Sequence, residues 1–375
     1  MAFAPAPAVW FVVQDELIRN GAADEYPPKN VFDHFDDETL FETFHLTRPC
    51  IDFITDIISL SLKGPKPKSH PAFSVEGMVM TALNYYAHGV CSVSIQKLGI
   101  SLSDSPGVIR VVSKVLAGMA DQFITFPRAA GDKANMGTMM ERFCGMPKVL
   151  GVLAGAHFKI RACPYEKDSF RSFINTLGYT SVTSQIVCDA YGNLLSVEKC
   201  CVGSTPEQEM WESSSMKQEM EDATHGQYWL IAGRGYHLSK HVLTAVSQPL
   251  NDKDFSFNEA HSKIQAVMRK TLCSLKRRFR CLMQLGFAKE NSLDRKTDII
   301  HACCVLYNIA KKFSVPAPPM VGKTEPTHPG KQYQMPVVPI SPEALEARQE
   351  LINARFTVVP QSQKTVSPNS TAEGS

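Results

Sequence analysis

The chain lacks a charge excess, a long apolar run and a paired set of metal-binding cysteines, and each lack closes off a class of function. Thirty-nine lysines and arginines stand against 37 aspartates and glutamates, a formal net charge of +2. No bulk field of that size gathers a polyanion, so any nucleic-acid surface has to be local. No apolar stretch approaches the ~20 residues of a membrane span. Met1-Ala2-Phe3-Ala4-Pro5 sets no basic leader before the short apolar run Val9 to Val13, so a secretory signal is not expected. The 11 cysteines are odd in number and sit in apolar stretches such as Ile300-His301-Ala302-Cys303-Cys304-Val305-Leu306, with no CxxC pair and no histidine at zinc spacing. Buried free thiols in a reducing, intracellular compartment are the expectation.

What is present is core-forming material. A hydrophobic content of 44% over 375 residues suffices for one large domain or two ordinary ones. Residues 1–40 are rich in Ala, Pro and Asp and read as an N-terminal arm, with Trp10 to Val13 as a docking segment. Residues 41–147 read as helical. Apolar residues from Phe41 to Leu62 follow a helical spacing broken at Pro49, and Lys63-Gly64-Pro65-Lys66-Pro67-Lys68 is a linker. Ser74-Val75-Glu76-Gly77 opens a helix through His88 that Gly89 closes with a left-handed cap. Short helices over Ser92 to Leu98 and from Ser105 or Pro106 to about Gln122 flank the turn Gly99 to Asp104.

From Lys148 the period changes to that of strands. Val149 to Ile160, Ser181 to Cys188 and Leu194 to Cys201 read as strands, with Asp189-Ala190-Tyr191-Gly192-Asn193 as a hairpin turn. Glu207 to Glu221 reads as a polar helix, Tyr228 to Ala232 as a strand, and Glu259 to Leu285 as a long helix. Ile264, Met268, Leu272, Leu275, Phe279 and Leu282 form the buried stripe of that helix. This α/β domain spans residues 148–315. Residues 316–375 form a Pro-rich tail with one charged helix, Pro342 to about Arg355, and a disordered end from Gln361 to Ser375.

Seven blocks occur in an order that identifies a relative. They are Phe123-Ile124-Thr125-Phe126-Pro127, Gly145 to Val152, Val187-Cys188-Asp189, Gly203-Ser204, Asn258-Glu259-Ala260-His261-Ser262, Arg278-Phe279-Arg280-Cys281-Leu282 and Ala302 to Asn308. The ordered set resembles the PIF/Harbinger transposase-derived nucleases over roughly residues 41–313. The resemblance implies an RNase H-like α/β fold with a mixed sheet flanked by helices, preceded by a helical region containing a degenerate helix-turn-helix. It also implies three catalytic acids, Asp, Asp and Glu, at positions held here by Ala154, Gly233 and Arg269. A two-metal phosphodiesterase needs oxygen ligands for Mg²⁺ or Mn²⁺; Ala154 and Gly233 supply none, and a guanidinium at 269 repels the cation. Pro106 and Gly107 stand where the family's recognition helix has Ser and Arg, and Asn175-Thr176-Leu177-Gly178 where it tends to have Asn-Arg-Lys-Gly. A structural hairpin is therefore favoured over a DNA reader.

No other acid is expected to rebuild the site. Asp189 reads as a backbone cap of its turn, and Glu207 and Glu209 as exposed first-turn carboxylates that favour the helix dipole. His157 reads as a hydrogen-bonded strand residue. The candidate binding surface is the basic face Arg269, Lys270, Lys276, Arg277 and Arg280. The expectation is a domesticated, non-cleaving nuclease-like protein of the nucleus, with the cytoplasm as a second location. It would need no cofactor and would bind DNA and a Myb-like DNA-binding protein. One alternative is an active Mg²⁺- or Mn²⁺-dependent DNA endonuclease, and another is an interaction protein with no nucleic-acid affinity.

Overall fold

A computed structural model describes residues 35–62, 73–91, 100–161, 171–222, 227–287, 293–319 and 340–356. The Trp10 to Val13 segment, the Lys63 to Lys68 linker, the Ser92 to Leu98 helix, residues 320–339 and the Gln361 to Ser375 end lie outside them.

The helical region begins with α1 (Asp37–Phe44) and α2 (Arg48–Leu62). Asp36 caps α1 by accepting from Thr39 N, and His45, left-handed at φ 57°, ends it. The break therefore falls before Pro49. Proline sits in the first turn of α2, where the ring's missing N–H leaves no bond unmade. α3 (Val75–His88) runs from a Ser74 cap to Gly89 at φ 79°, as its sequence signals require. α4 (Ser105–Ala117) stops short of Gln122, and the chain resumes as α5 (Ala120–Phe123). α6 (Ala130–Cys144) escaped the sequence reading because its buried stripe is narrow, only Lys133, Gly137, Met140 and Cys144.

The sheet is built around β1 (Val149–Arg161). β2 (Ser181–Cys188) pairs with it antiparallel, and β3 (Leu194–Val197) pairs antiparallel with β2. The single strand expected over Leu194 to Cys201 is divided, since β4 (Cys201–Val202) pairs separately with β2. The polar helix over Glu207 to Glu221 is also two, α7 (Glu207–Glu212) and α8 (Ser215–Glu221), because Ser214 caps the second by accepting from Lys217 N. β5 (Trp229–Ala232) runs parallel to β1, and β6 (Val242–Leu243) parallel to β5.

The long helix is α9 (Asp252–Arg278), opened by an Asn251 cap and closed at Phe279. It starts and ends earlier than its apolar pattern indicates. The chain then passes through a 3₁₀ turn, Arg280–Met283, into β7 (Leu285–Phe287), which pairs parallel with the far end of β1. Phe279 and Leu282 are fully buried as expected, but from the helix's closing residue and from this turn; Leu272 is only half-buried.

α10 (Leu293–Lys312) is largely buried, and its Asn308 covers the edge of β3. The amide accepts from Leu194 N at 3.0 Å and donates to Leu194 O at 2.8 Å, as a neighbouring strand would. α11 (Pro342–Arg355) packs Leu351 and Ile352 into the main core, and Arg348 donates to Thr244 O and Ala245 O. That core runs from Leu40 in α1 through β1 and α9 to Ile352. The buried Arg278 guanidinium stitches it together by donating to His45 O (2.5 Å), Val315 O (2.9 Å) and Pro316 O (2.9 Å). Three antiparallel strands followed by parallel ones, with helices on both faces, are the RNase H-like arrangement.

Candidate functional site

The two faces of β1 belong to different layers because side chains alternate along a strand. Val152, Ala154, Ala156 and Phe158 join the main core on the α9 side. Leu150 and Leu153 join Trp211, Met216, Met220 and Tyr236 on the α7–α8 side.

On the α9 side, Leu153 is in register with Ala232 across the parallel pair, so Ala154 stands beside Gly233 at the end of β5. Three side chains tie α9 across these strands. His261 donates from Nε2 to Ala232 O (3.0 Å), Gln265 from Nε2 to Ile231 O (3.2 Å), and Lys276 from Nζ to His157 O (2.9 Å). Gln265, Arg269, Leu272 and Lys276 share one helical face, so Arg269 lies between anchors on β5 and on β1. A Cβ on Gly233 would stand 3.4 Å from Gln265 Oε1. Strand register thus puts the matched positions Ala154 and Gly233 side by side, and Arg269 follows Gln265, the side chain nearest Gly233, by one turn of α9. A methyl, a hydrogen and a guanidinium form no oxygen cage, so these three residues do not fit a divalent metal.

The basic residues of α9 divide. Arg269 and Lys270 are exposed. Lys276 is engaged with His157 O and lies 5.5 Å from the Phe158 ring centroid, Arg277 is half-buried, and Arg280 belongs to the 3₁₀ turn beyond the helix. Arg234, directly after Gly233, is exposed.

The α7 side holds a carboxylate, Glu207, that packs against Gly155 of β1 and Gly235 after β5. Glu207 is half-buried, not the exposed first-turn residue expected. Its Cγ lies 2.8 Å from where a Cβ on Gly155 would stand, and its Oε2 2.8 Å from one on Gly235. Gly155 points away from Ala154's face, so Glu207 is across the sheet from Arg269. Burial pushes its carboxyl pKa up. Among the described residues no group of three or more His, Cys, Asp or Glu side chains is placed to hold a metal ion.

The remaining candidates are structural. Asp189 accepts from Tyr191 N, Asn193 N and Asn193 Nδ2, the backbone-capping role expected of it. His157 Nδ1 bonds to Ser181 Oγ at 3.1 Å, and burial, with Lys276 nearby, lowers its pKa to about 4. Every described cysteine is a free thiol, and among them only Cys273 is exposed.

A mixed sheet with a long helix laid across β1 and β5 defines an RNase H-like nuclease domain, and residues 153–308 match the family described as DDE superfamily endonuclease. The chain belongs to the Harbinger transposase-derived nuclease family. It is 32% identical over 349 residues to the Xenopus laevis protein called "Putative nuclease HARBI1", covering 92% of this chain and 98% of that one. The Homo sapiens and Rattus norvegicus proteins of the same name are each 30% identical over 352 residues, at the same coverage. No match was found among solved structures. Among the described residues no helix is long and apolar enough to cross a membrane.

Proposed function

We propose that this member of the family is a domesticated, nuclease-like protein of the nucleus that binds DNA without cleaving it. The observation that carries the reading is the exposed pair Arg269 and Lys270 on the helix laid over Ala154 and Gly233. Chemistry that places two metal ions on the attacking and leaving oxygens needs carboxylates at that spot. Cations there favour the phosphate backbone itself, through counterion release that is salt-dependent and indifferent to sequence. No resident cofactor is needed for this activity. The helical region, residues 41–147, is the surface proposed for a protein partner of the Myb-like DNA-binding class.

The test combines cleavage and binding on one preparation. Labelled duplex incubated with the protein and Mg²⁺ or Mn²⁺ stays intact, while a mobility shift appears at low salt and fades as salt rises. Metal-dependent cleavage that disappears on mutating Asp189 or Glu207 would establish the endonuclease reading. The absence of any shift at low salt would leave a protein-interaction role without nucleic-acid affinity.

A further inference from the structure

We propose that the outer ridge of α9, formed by Lys263, Lys270 and Arg277 with Arg269 beside them, docks along the phosphate backbone of duplex DNA. The inference rests on the DNA-binding reading and deepens it, from an exposed pair of cations to a surface of stated length and direction. Seven residues make almost two whole turns of an α-helix, so side chains recurring at that interval line up along one side. Lys263 and Lys270 are exposed and Arg277 is half-buried, whereas Ile264, Met268, Thr271 and Leu275, on the opposite side, are buried. Arg269 is exposed one residue before Lys270. The ridge from Lys263 to Arg277 is about 21 Å long at the rise of an α-helix. Lys263 lies outside the basic face read from the sequence; only its exposure two turns before Lys270 joins it to the others.

Charge along the ridge is unopposed. From Ala260 to Arg278 the helix carries no acid. Among the described residues none of Lys263, Arg269, Lys270 and Arg277 forms an ion pair. Lys263 Nζ lies 5.6 Å from the Phe143 ring centroid, and Glu141, in the same turn of α6 as Phe143, is already paired with Arg355 at 3.0 Å. Two further cations of the helix turn inward, Lys276 to His157 O and Arg278 to His45 O, Val315 O and Pro316 O. The fixed spacing suits a stiff polyanion. One unbroken helix holds Lys263, Lys270 and Arg277 at intervals of about 10 Å, and duplex, stiff over ~150 base pairs, keeps its phosphates in line without the ordering cost of a flexible strand. Single strands are held in large part by stacking on aromatic rings, and no aromatic residue occurs between Lys263 and Arg277. Ala266 and Cys273, which interleave with the cations on the same side, are small enough to let a backbone approach.

The experiment measures duplex affinity against salt concentration for the parent, Lys263→Ala, Arg277→Ala and the double variant. Separate phosphate contacts at the two ends of the ridge predict that each single variant flattens the log–log salt slope by ~0.9 and the double variant by ~1.8. An unchanged slope in either folded single variant overturns the ridge while leaving DNA binding in place. A parent that binds no duplex at low salt defeats the underlying DNA-binding reading instead. Unlabelled duplex is expected to displace a labelled duplex at lower concentration than single strand of the same sequence; a single strand that competes equally well overturns the duplex assignment. Lys263 is exposed, so Lys263→Ala is expected to melt with the parent and carries the test should Arg277→Ala, at a half-buried position, melt lower. Cys273, exposed between Lys270 and Arg277, supplies an independent readout. Duplex slows its alkylation by iodoacetamide, followed by mass spectrometry of the peptide that contains it; equal alkylation with and without duplex overturns the placement.

Discussion

The two faces of β1 carry opposite electrostatics within a sheet's thickness. On the α9 side the helix that meets Gly233 through Gln265 carries exposed Arg269 and Lys270; on the α7 face Gly155 meets a half-buried glutamate. A count of charges along the chain cannot separate these environments, since the totals nearly cancel. Strand alternation separates them, because it sends residue 154 to one layer and residue 155 to the other. An acid close in space is therefore not an acid available to the site.

The sharpest way to break this comparison is to rewrite the α9 face. The triple variant Ala154→Asp, Gly233→Asp, Arg269→Glu is expected to gain a metal-dependent rise in melting temperature with Mn²⁺. The stabilisation approaches ~2.7 kcal/mol at one hundred times the dissociation constant. The parent and Ala154→Asp alone gain none, because one carboxylate cannot assemble the cage. A parent that melts higher in Mn²⁺ than in an ionic-strength control would show that acids elsewhere hold a metal.

A pair of glycine substitutions tests the packing side of the same contrast. Gly155→Ala drives a methyl into Glu207 and is expected to cost about 1–3 kcal/mol in denaturant unfolding, most of it regained in a Glu207→Ala background. Gly233→Ala meets its nearest atom at 3.4 Å and should change stability by no more than about 0.5 kcal/mol. Equal costs at the two positions would mean that Glu207 is not wedged where it is described.

The smaller effects are those of pH. His45 and His157 both have pKa values lowered to about 4, chiefly by burial. The unfolded chain takes up protons that these folded histidines refuse, so stability is full above about pH 6.5 and declines as pH falls toward 4. Melting temperatures measured across that window should fall, and His157→Gln should blunt the fall. Glu207 acts in the reverse sense. Its raised pKa favours the folded state at acid pH and weakens it as pH climbs above the ordinary carboxylate range. Glu207→Gln should therefore melt higher than the parent at pH 7.5, with the advantage fading toward pH 4.

Periodicity carried the elements whose burial is simple. β1 and β2 are sealed in the sheet and read as apolar or β-branched runs, and α3 announced both caps through Ser74 and Gly89. It failed where a helix and its successor share one apolar rhythm. Phe279 and Leu282 continue the stripe of α9, yet Phe279 closes the helix and Leu282 sits in a 3₁₀ turn because β7 must reach the far end of β1. Short strands such as β6 were invisible, since two residues have no period.

The sequence by itself determined the family, the RNase H-like class and the residue types at positions 154, 233 and 269, because these are carried by ordered blocks and by chemistry that travels with each side chain. Tertiary structure alone decided which of those side chains meet. Strand register set Ala154 beside Gly233, bonds from His261, Gln265 and Lys276 to strand carbonyls fixed α9 above them, and alternation put Glu207 on the far side. These are contacts between residues far apart in the chain, and a local pattern holds no record of the distance that folding removes.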